Sequence, residues 1–146
     1  MTEVTLPATL GEAILTEPWW LQAWLIVLGA GLLGALLFAV RRNHAGWHIR
    51  RECFAILLSA VAAAVIMDWL YAEYGYVRLL GLGHLLAWTP AYAYVLSRRK
   101  RIGFAGWYGK YIHFYLLVVG ISLCIDAIDV VRYLLGDAEL YLRWSP

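Results

Sequence analysis

Charge is scarce in this sequence. Asp, Glu, Lys and Arg make up only 15% of its 146 residues, where a soluble globular domain carries about 25%. That shortage excludes an ordinary soluble domain. Cysteine is nearly absent too: Cys53 begins one apolar segment and Cys124 lies deep in another. No disulfide is expected between them, and no CxxC or haem-attachment spacing exists. Lys and Arg are missing from residues 1–18, and the apolar run that follows is too long for the core of a secretory signal. The run is therefore expected to stay in the protein as a spanning helix.

Apolar and aromatic residues are abundant. Hydrophobic residues reach 63%, with eight Trp and ten Tyr, and the mean hydropathy is +0.67. Aromatic residues in such numbers fit belts at two membrane–water interfaces. Four apolar segments, at about 19–40, 53–71, 78–97 and 111–135, predict an all-α integral membrane protein, a four-helix transmembrane bundle with short loops in one domain. The acidic leader GEAIL suits a single interfacial helical turn, and Pro18 suits the start of the first long helix. That helix carries Ala30-xxx-Gly34 and Gly31-xxx-Ala35, small-residue spacings that let a neighbour approach closely. The second helix has a small face at Ser59, Ala60, Ala63 and Ala64, and the brief link after it makes helices two and three antiparallel neighbours. Pro90 in the third helix removes the bond to the Leu86 carbonyl, which predicts a kink there.

The sparse charges are segregated. Arg41, Arg42, Arg50, Arg51, Arg98, Arg99, Lys100, Arg101 and Lys110 are nine of the twelve Lys and Arg, and all lie in the loops joining helices one to two and three to four. Glu3, Glu12, Glu17, Glu73, Asp137 and Glu139 lie in the tails or in the other loop. Positive loops stay in the cytoplasm, so both termini are expected outside and a multi-pass inner-membrane location follows. The bilayer is the first partner, and the basic loops suit its anionic lipids. They are too short and too close to the membrane to suit nucleic acid. His44 and His48, four apart, are expected on a solvated interfacial helix rather than on a metal.

The fourth segment, YIHFYLLVVGISLCIDAIDVVRYLL, carries Asp126, Asp129 and Arg132 at a spacing of three, along one drifting helical stripe. A carboxylate in hydrocarbon costs about 2.5–3.5 kcal/mol on insertion scales. Such groups need a partner, a proton, an ion or water. Counted at 1.5 Å per residue from the helix ends, Asp68 lies roughly 6 Å deep. His84 and Asp129 lie roughly 9 Å deep, with Asp126 a turn deeper and Arg132 a turn shallower. These residues form an outer-half polar layer, beneath a collar of Tyr71, Glu73, Arg78 and Tyr133.

The layer has three readings. It can be a paired network that only fixes helix packing, with Arg132 bridging to Asp129 or Asp68 and His84 bonded to a carboxylate. It can relay protons or small cations through Asp126, Asp129, Asp68 and His84, with Arg132 and Arg78 as counter-ions. Ser122, Thr89 and the Leu86 carbonyl would extend polarity inward, while LLVVGI between His113 and Ser122 is a gate or an end to the path. The same Asp68, His84, Asp126 and Asp129 are the candidate ligands if a divalent metal binds. No cofactor is otherwise expected, although Trp69, Trp88 and Tyr92 offer a stacking surface for a quinone or lipid. No Ser or Cys stands beside a base in sequence, which argues against a nucleophilic enzyme. A voltage sensor needs Arg at successive third positions, and only Arg132 is there. A four-helix small drug exporter needs a lone Glu in its first helix, which here has no acid. Transport of protons or small cations by a homo-oligomer is the expected function.

Overall fold

In the computed structural model, which describes residues 7–44 and 46–137, the chain is mostly helical. The tail acids Glu3 and Glu139 lie outside the described residues. A short helix α1 (Leu10–Leu15) precedes α2 (Trp19–Phe38). Strands β1 (Val40–Asn43) and β2 (Gly46–Ile49) follow, then α3 (Arg51–Tyr74). A 3-10 turn at Arg78–Leu80 leads into α4 (Gly81–Ile102), and α5 (Gly106–Leu134) completes the chain. Counting the 3-10 turn with α4, four helices are long and apolar enough to cross a membrane, as a multi-pass membrane protein requires.

Local chemistry sets the boundaries. Thr9 caps α1 by accepting from the Glu12 amide, and the Glu12 carboxylate reaches back to the Ala8 amide, close to a capping box. Pro18 opens α2, as its position suggests. Gly75 and Gly103 end α3 and α4 with φ of 73° and 69°, a left-handed backbone that favours glycine. α4 and α5 are both longer than the hydropathy pattern predicts. Arg98 to Arg101 are helical, residues 103–105 alone separate the two helices, and α5 starts five residues before Tyr111. At 29 residues α5 is about 43 Å long, more than a ~30 Å hydrocarbon layer needs.

The basic segment after α2 corrects the all-helical expectation. It forms an antiparallel hairpin with Arg41 opposite His48 and Arg42 opposite Trp47, and the Arg42 guanidinium lies 5.6 Å from the Trp47 ring centre. Gly46, at φ 114°, permits the tight return. His44 is in the turn and His48 in a strand, so a helical spacing of four does not relate them.

Packing inside the bundle is driven by small residues meeting large ones. The Tyr111 hydroxyl donates to the Gly31 carbonyl at 2.8 Å, and a Cβ at Gly34 would lie 2.8 Å from the Tyr111 ring. The small face of α2 is thus used within the chain, against α5. The α3–α4 contact is tightest at Gly83, where a Cβ would meet Met67 Cγ at 2.6 Å and the Met67 amide nitrogen at 3.3 Å. Tyr115, Ile56, Ile112, Val95, Val119 and Cys53 are the largest fully buried side chains. α2 is the least buried of the four long helices. Many outward residues, among them Leu37, Leu58, Val65, Leu117 and Ile128, are large and apolar, as a lipid-facing surface would be.

Two ends of the bundle can be distinguished. The acidic end holds α1, the α3–α4 link and the last turn of α5. The basic end holds the hairpin and the α4–α5 link, where Arg50 lies over the Tyr108 ring at 3.7 Å. The tight α3–α4 approach yields a first prediction. Gly83→Ala lowers the thermal unfolding midpoint in detergent by an amount equivalent to about 1–3 kcal/mol. Adding Met67→Ala recovers much of it, and a strictly additive double mutant would refute the contact as the cause.

Candidate functional site

The acidic end gathers charged side chains from the 3-10 turn, α4 and α5. The 3-10 turn presents Arg78, whose guanidinium lies 3.0 Å from Asp129 Oδ1 and 3.1 Å from Asp137 Oδ2. Asp137 also receives Arg132 at 2.7 Å. Gly136, at φ 108°, turns the chain after α5, and the Asp137 amide bonds back to the Arg132 carbonyl. That return is a glycine-ended helix terminus, and it brings Asp137 to both arginines. The result is a clasp tying the α3–α4 link to the end of α5.

One helical turn deeper is a separate pair. His84 Nδ1 lies 3.0 Å from Asp126 Oδ2, and the Ser122 hydroxyl donates to the same oxygen at 3.4 Å. Both side chains of the pair are about 15% exposed, so neither is sealed from the cleft described below. Gly81 makes the approach possible, since a Cβ there would lie 3.1 Å from Asp126 Cβ and Oδ1. The His84 ring stacks on Trp88 with centroids 3.9 Å apart and planes at 17°. An ionised Asp126 accepts from Nδ1–H, so ring orientation and carboxylate are fixed together.

Both groups face a cleft of about 580 Å³, within the range of small-molecule sites. One wall is polar, with Arg78, His84, Ser122, Asp126 and Asp129. α2 contributes Trp20, Leu21, Trp24, Leu25 and Leu28 to the lining. Leu10 and Ile14 of α1 form part of the rim. Below Ser122 the bundle closes: Leu116, Val118 and Val119 are buried, alongside Val95 of α4 and Ile56 of α3. Tyr115 is buried among them, its hydroxyl having no hydrogen-bond partner among the described residues. LLVVGI is thus a packed plug on this side of the chain.

The structure brings together four of the residues marked by sequence: His84 with Asp126, and Arg78 with Asp129. Asp68 is not among them. It is exposed on α3 and takes no part in the clasp or the pair. Arg132 joins Asp137 rather than bridging to Asp68 or Asp129. Among the described residues no group of three or more His, Cys, Asp or Glu is placed to hold a metal ion. Sequence reasoning missed Gly81 and the clasping role of Asp137. The signals available were glycines at 81 and 83 beside His84, and a glycine just before Asp137.

The rim has its own anchor. The Tyr71 hydroxyl donates to the Pro7 carbonyl at 2.6 Å, and Gln22 Nε2 donates to the Leu15 and Glu17 carbonyls. The Glu17 side chain is buried, with Oε1 unpartnered among the described residues. Burial pushes its carboxyl above the ordinary value of 4.5, against a smaller opposing effect of a hydrogen bond from Tyr76. A raised acid favours the neutral form in the docked state, so docking of α1 is strongest at low pH. It weakens as pH rises from 4.5 through the raised value.

Two predictions follow from this geometry. Arg78→Gln leaves Asp129 without its guanidinium in a poorly solvated place and costs about 1–3 kcal/mol in thermal unfolding. Asp129→Asn added to it restores part of that loss, whereas equal and additive losses would show that the pair is not coupled. For the rim, amide exchange over residues 10–15, corrected for its intrinsic pH dependence, rises with pH above 4.5 in the wild type. In Glu17→Gln the corrected exchange is flat, and a persisting slope would place its origin elsewhere. No protein-family model matches this chain, and no curated protein or solved structure matches it either.

Proposed function

We propose that this protein is a carrier of protons or small cations, with the His84–Asp126 pair as its binding group. In this reading the acidic end and both termini face outside. The cleft admits the ion from there, and the plug around Tyr115 closes the way to the cytoplasmic side. A cleft that ends at a packed plug suits a carrier better than a continuously open channel. The positive-inside distribution of arginine and lysine supports the orientation.

The observation that carries the reading is a charge count. Among the described residues, Arg78 is the one Lys or Arg that lines the cleft, and Asp126 and Asp129 are the two acids. With His84 neutral the lining holds one negative charge in excess, and a proton or a monovalent cation neutralises it. The His84–Asp126 pair is where that proton is held, because Asp129 has Arg78 at 3.0 Å while Asp126 has an imidazole and a hydroxyl.

The clasp favours a second, structural role for the other half of the layer. Arg78, Asp129, Asp137 and Arg132 form a chain of alternating charge, which suits holding helix ends together rather than passing ions.

Purified protein in liposomes, with a pH dye and a potential dye, tests the reading. Wild type moves protons or a monovalent cation down an imposed gradient, and Asp126→Asn reduces the rate at least tenfold while its thermal midpoint stays near wild type. No flux of protons, sodium or potassium by the wild type overturns the proposal. So does full flux in Asp126→Asn.

A further inference from the structure

The cleft is far larger than a proton or an alkali ion needs, and most of its surface is apolar. Its α2 wall offers the Trp20 and Trp24 rings with Leu25 and Leu28, and α5 adds Ile121 and Ile125. Aromatic rings attract cations at their faces, and do so more strongly where water is excluded. The same cleft holds the excess negative charge at Asp126. An apolar lining and a single charge in one cleft describe one ligand chemistry.

We propose that the cleft binds an amphiphilic organic monocation, a hydrophobic amine or onium ion, whose charge takes the place of the proton on the His84–Asp126 pair. This rests on the carrier reading and names its substrate class. The apolar body lies against the α2 tryptophans and leucines, and the cationic centre lies at the Asp126 carboxylate. Proton and ligand share one site, so each cation bound releases one proton from the protonated pair to water. Exchange across the membrane then needs no further residue.

The charged and titratable groups around the pair are few. Asp126 and Asp129 come from α5, followed by Arg132 and Asp137 near its end, and Arg78 comes from the 3-10 turn. On α3, Tyr71 bonds to Pro7 and Asp68 is exposed. Glu17 and Tyr76 lie toward the rim, and α2 contains no titratable side chain. The clasp commits both arginines to carboxylates at the helix ends, which leaves the pair as the group whose charge a ligand can replace.

The test uses the full chain in discs of zwitterionic lipid, with empty discs as the blank and tetraphenylphosphonium as the probe. The wild type binds the probe saturably, one per chain. In weakly buffered solution one proton appears per cation bound. Where the pair is protonated, the apparent affinity falls about tenfold for each unit drop in pH, as single-proton competition demands. Asp126→Asn, which brings the formal lining charge to zero, loses at least tenfold in affinity together with the pH slope. Leu28→Trp, which fills the apolar wall, loses affinity but keeps the slope.

Triphenylphosphine oxide, of similar shape but neutral, separates a cation site from a purely apolar one. Equal competition by it overturns the proposal, and so does binding no greater than to empty discs. If Asp126→Asn does not fold, proton release by the wild type decides: cation bound with no proton released refutes the shared site. Absence of probe binding alongside Asp126-dependent proton flux defeats this inference alone. Loss of Asp126 dependence in flux defeats the carrier reading as well.

Discussion

A carboxylate held among apolar helices is the constraint from which the acidic end of this protein follows. Ionised, Asp126 and Asp129 each carry a solvation penalty that no apolar neighbour can offset. The chain meets the two penalties differently. Asp129 receives a guanidinium, and the arginine is itself shared with Asp137, so charge is cancelled by charge at 3.0 and 3.1 Å. Asp126 receives an imidazole and a hydroxyl, groups that support the ionised form without cancelling it. Glycines at 81 and 83 let α4 approach α5 and α3 closely, and the first lets Asp126 lie directly against the α4 backbone.

The position of the two acids on one helix explains how they come to differ. Three residues apart, they are separated by about 60° around α5 and ~4.5 Å along it. Asp129 is thereby level with the 3-10 turn and Arg78. Asp126 drops below the turn to meet the first full turn of α4, where His84 projects. A spacing of four would bring both acids closer to one line, into the same partner. The spacing of three divides them between a structural clasp and an open pair.

Much of this was legible in the sequence, and the limits have physical causes. Hydropathy located four long helices because a run of twenty apolar residues has few other stable fates. Depth counting put His84 level with Asp129 and within a turn of Asp126, its partner in the structure, since rise per residue is nearly invariant. Depth gives no azimuth, which is why Asp68 was placed in a layer that it does not join. It is five residues past buried Ala63 and two before buried Leu70, roughly 140–160° around the helix from each. The hairpin escaped because His44 and His48 fit a helical spacing, while the strand signal was shared among Val40, Trp47, Ile49 and a glycine. Arg132 was read toward Asp129 or Asp68, and the reversal at Gly136 that brings Asp137 to it is a backbone event one residue long.

The difference between the clasp and the pair bears on what each can do. An arginine keeps its proton at any physiological pH, so the clasp has one charge state and holds the ends of α5 and of the α3–α4 link in one arrangement. The net charge of the imidazole–carboxylate pair changes by one each time a proton arrives or leaves. Of the clasp and the pair, only the pair can therefore bias a conformational equilibrium through protonation, because a ligand shifts states only by binding them unequally. A frame tied by permanent charges adjoins a titratable group at its edge, and α2, the least buried of the long helices, contributes apolar side chains to the same cleft. They meet at the end of the bundle where the sequence places its acids and away from the end where it places its arginines and lysines.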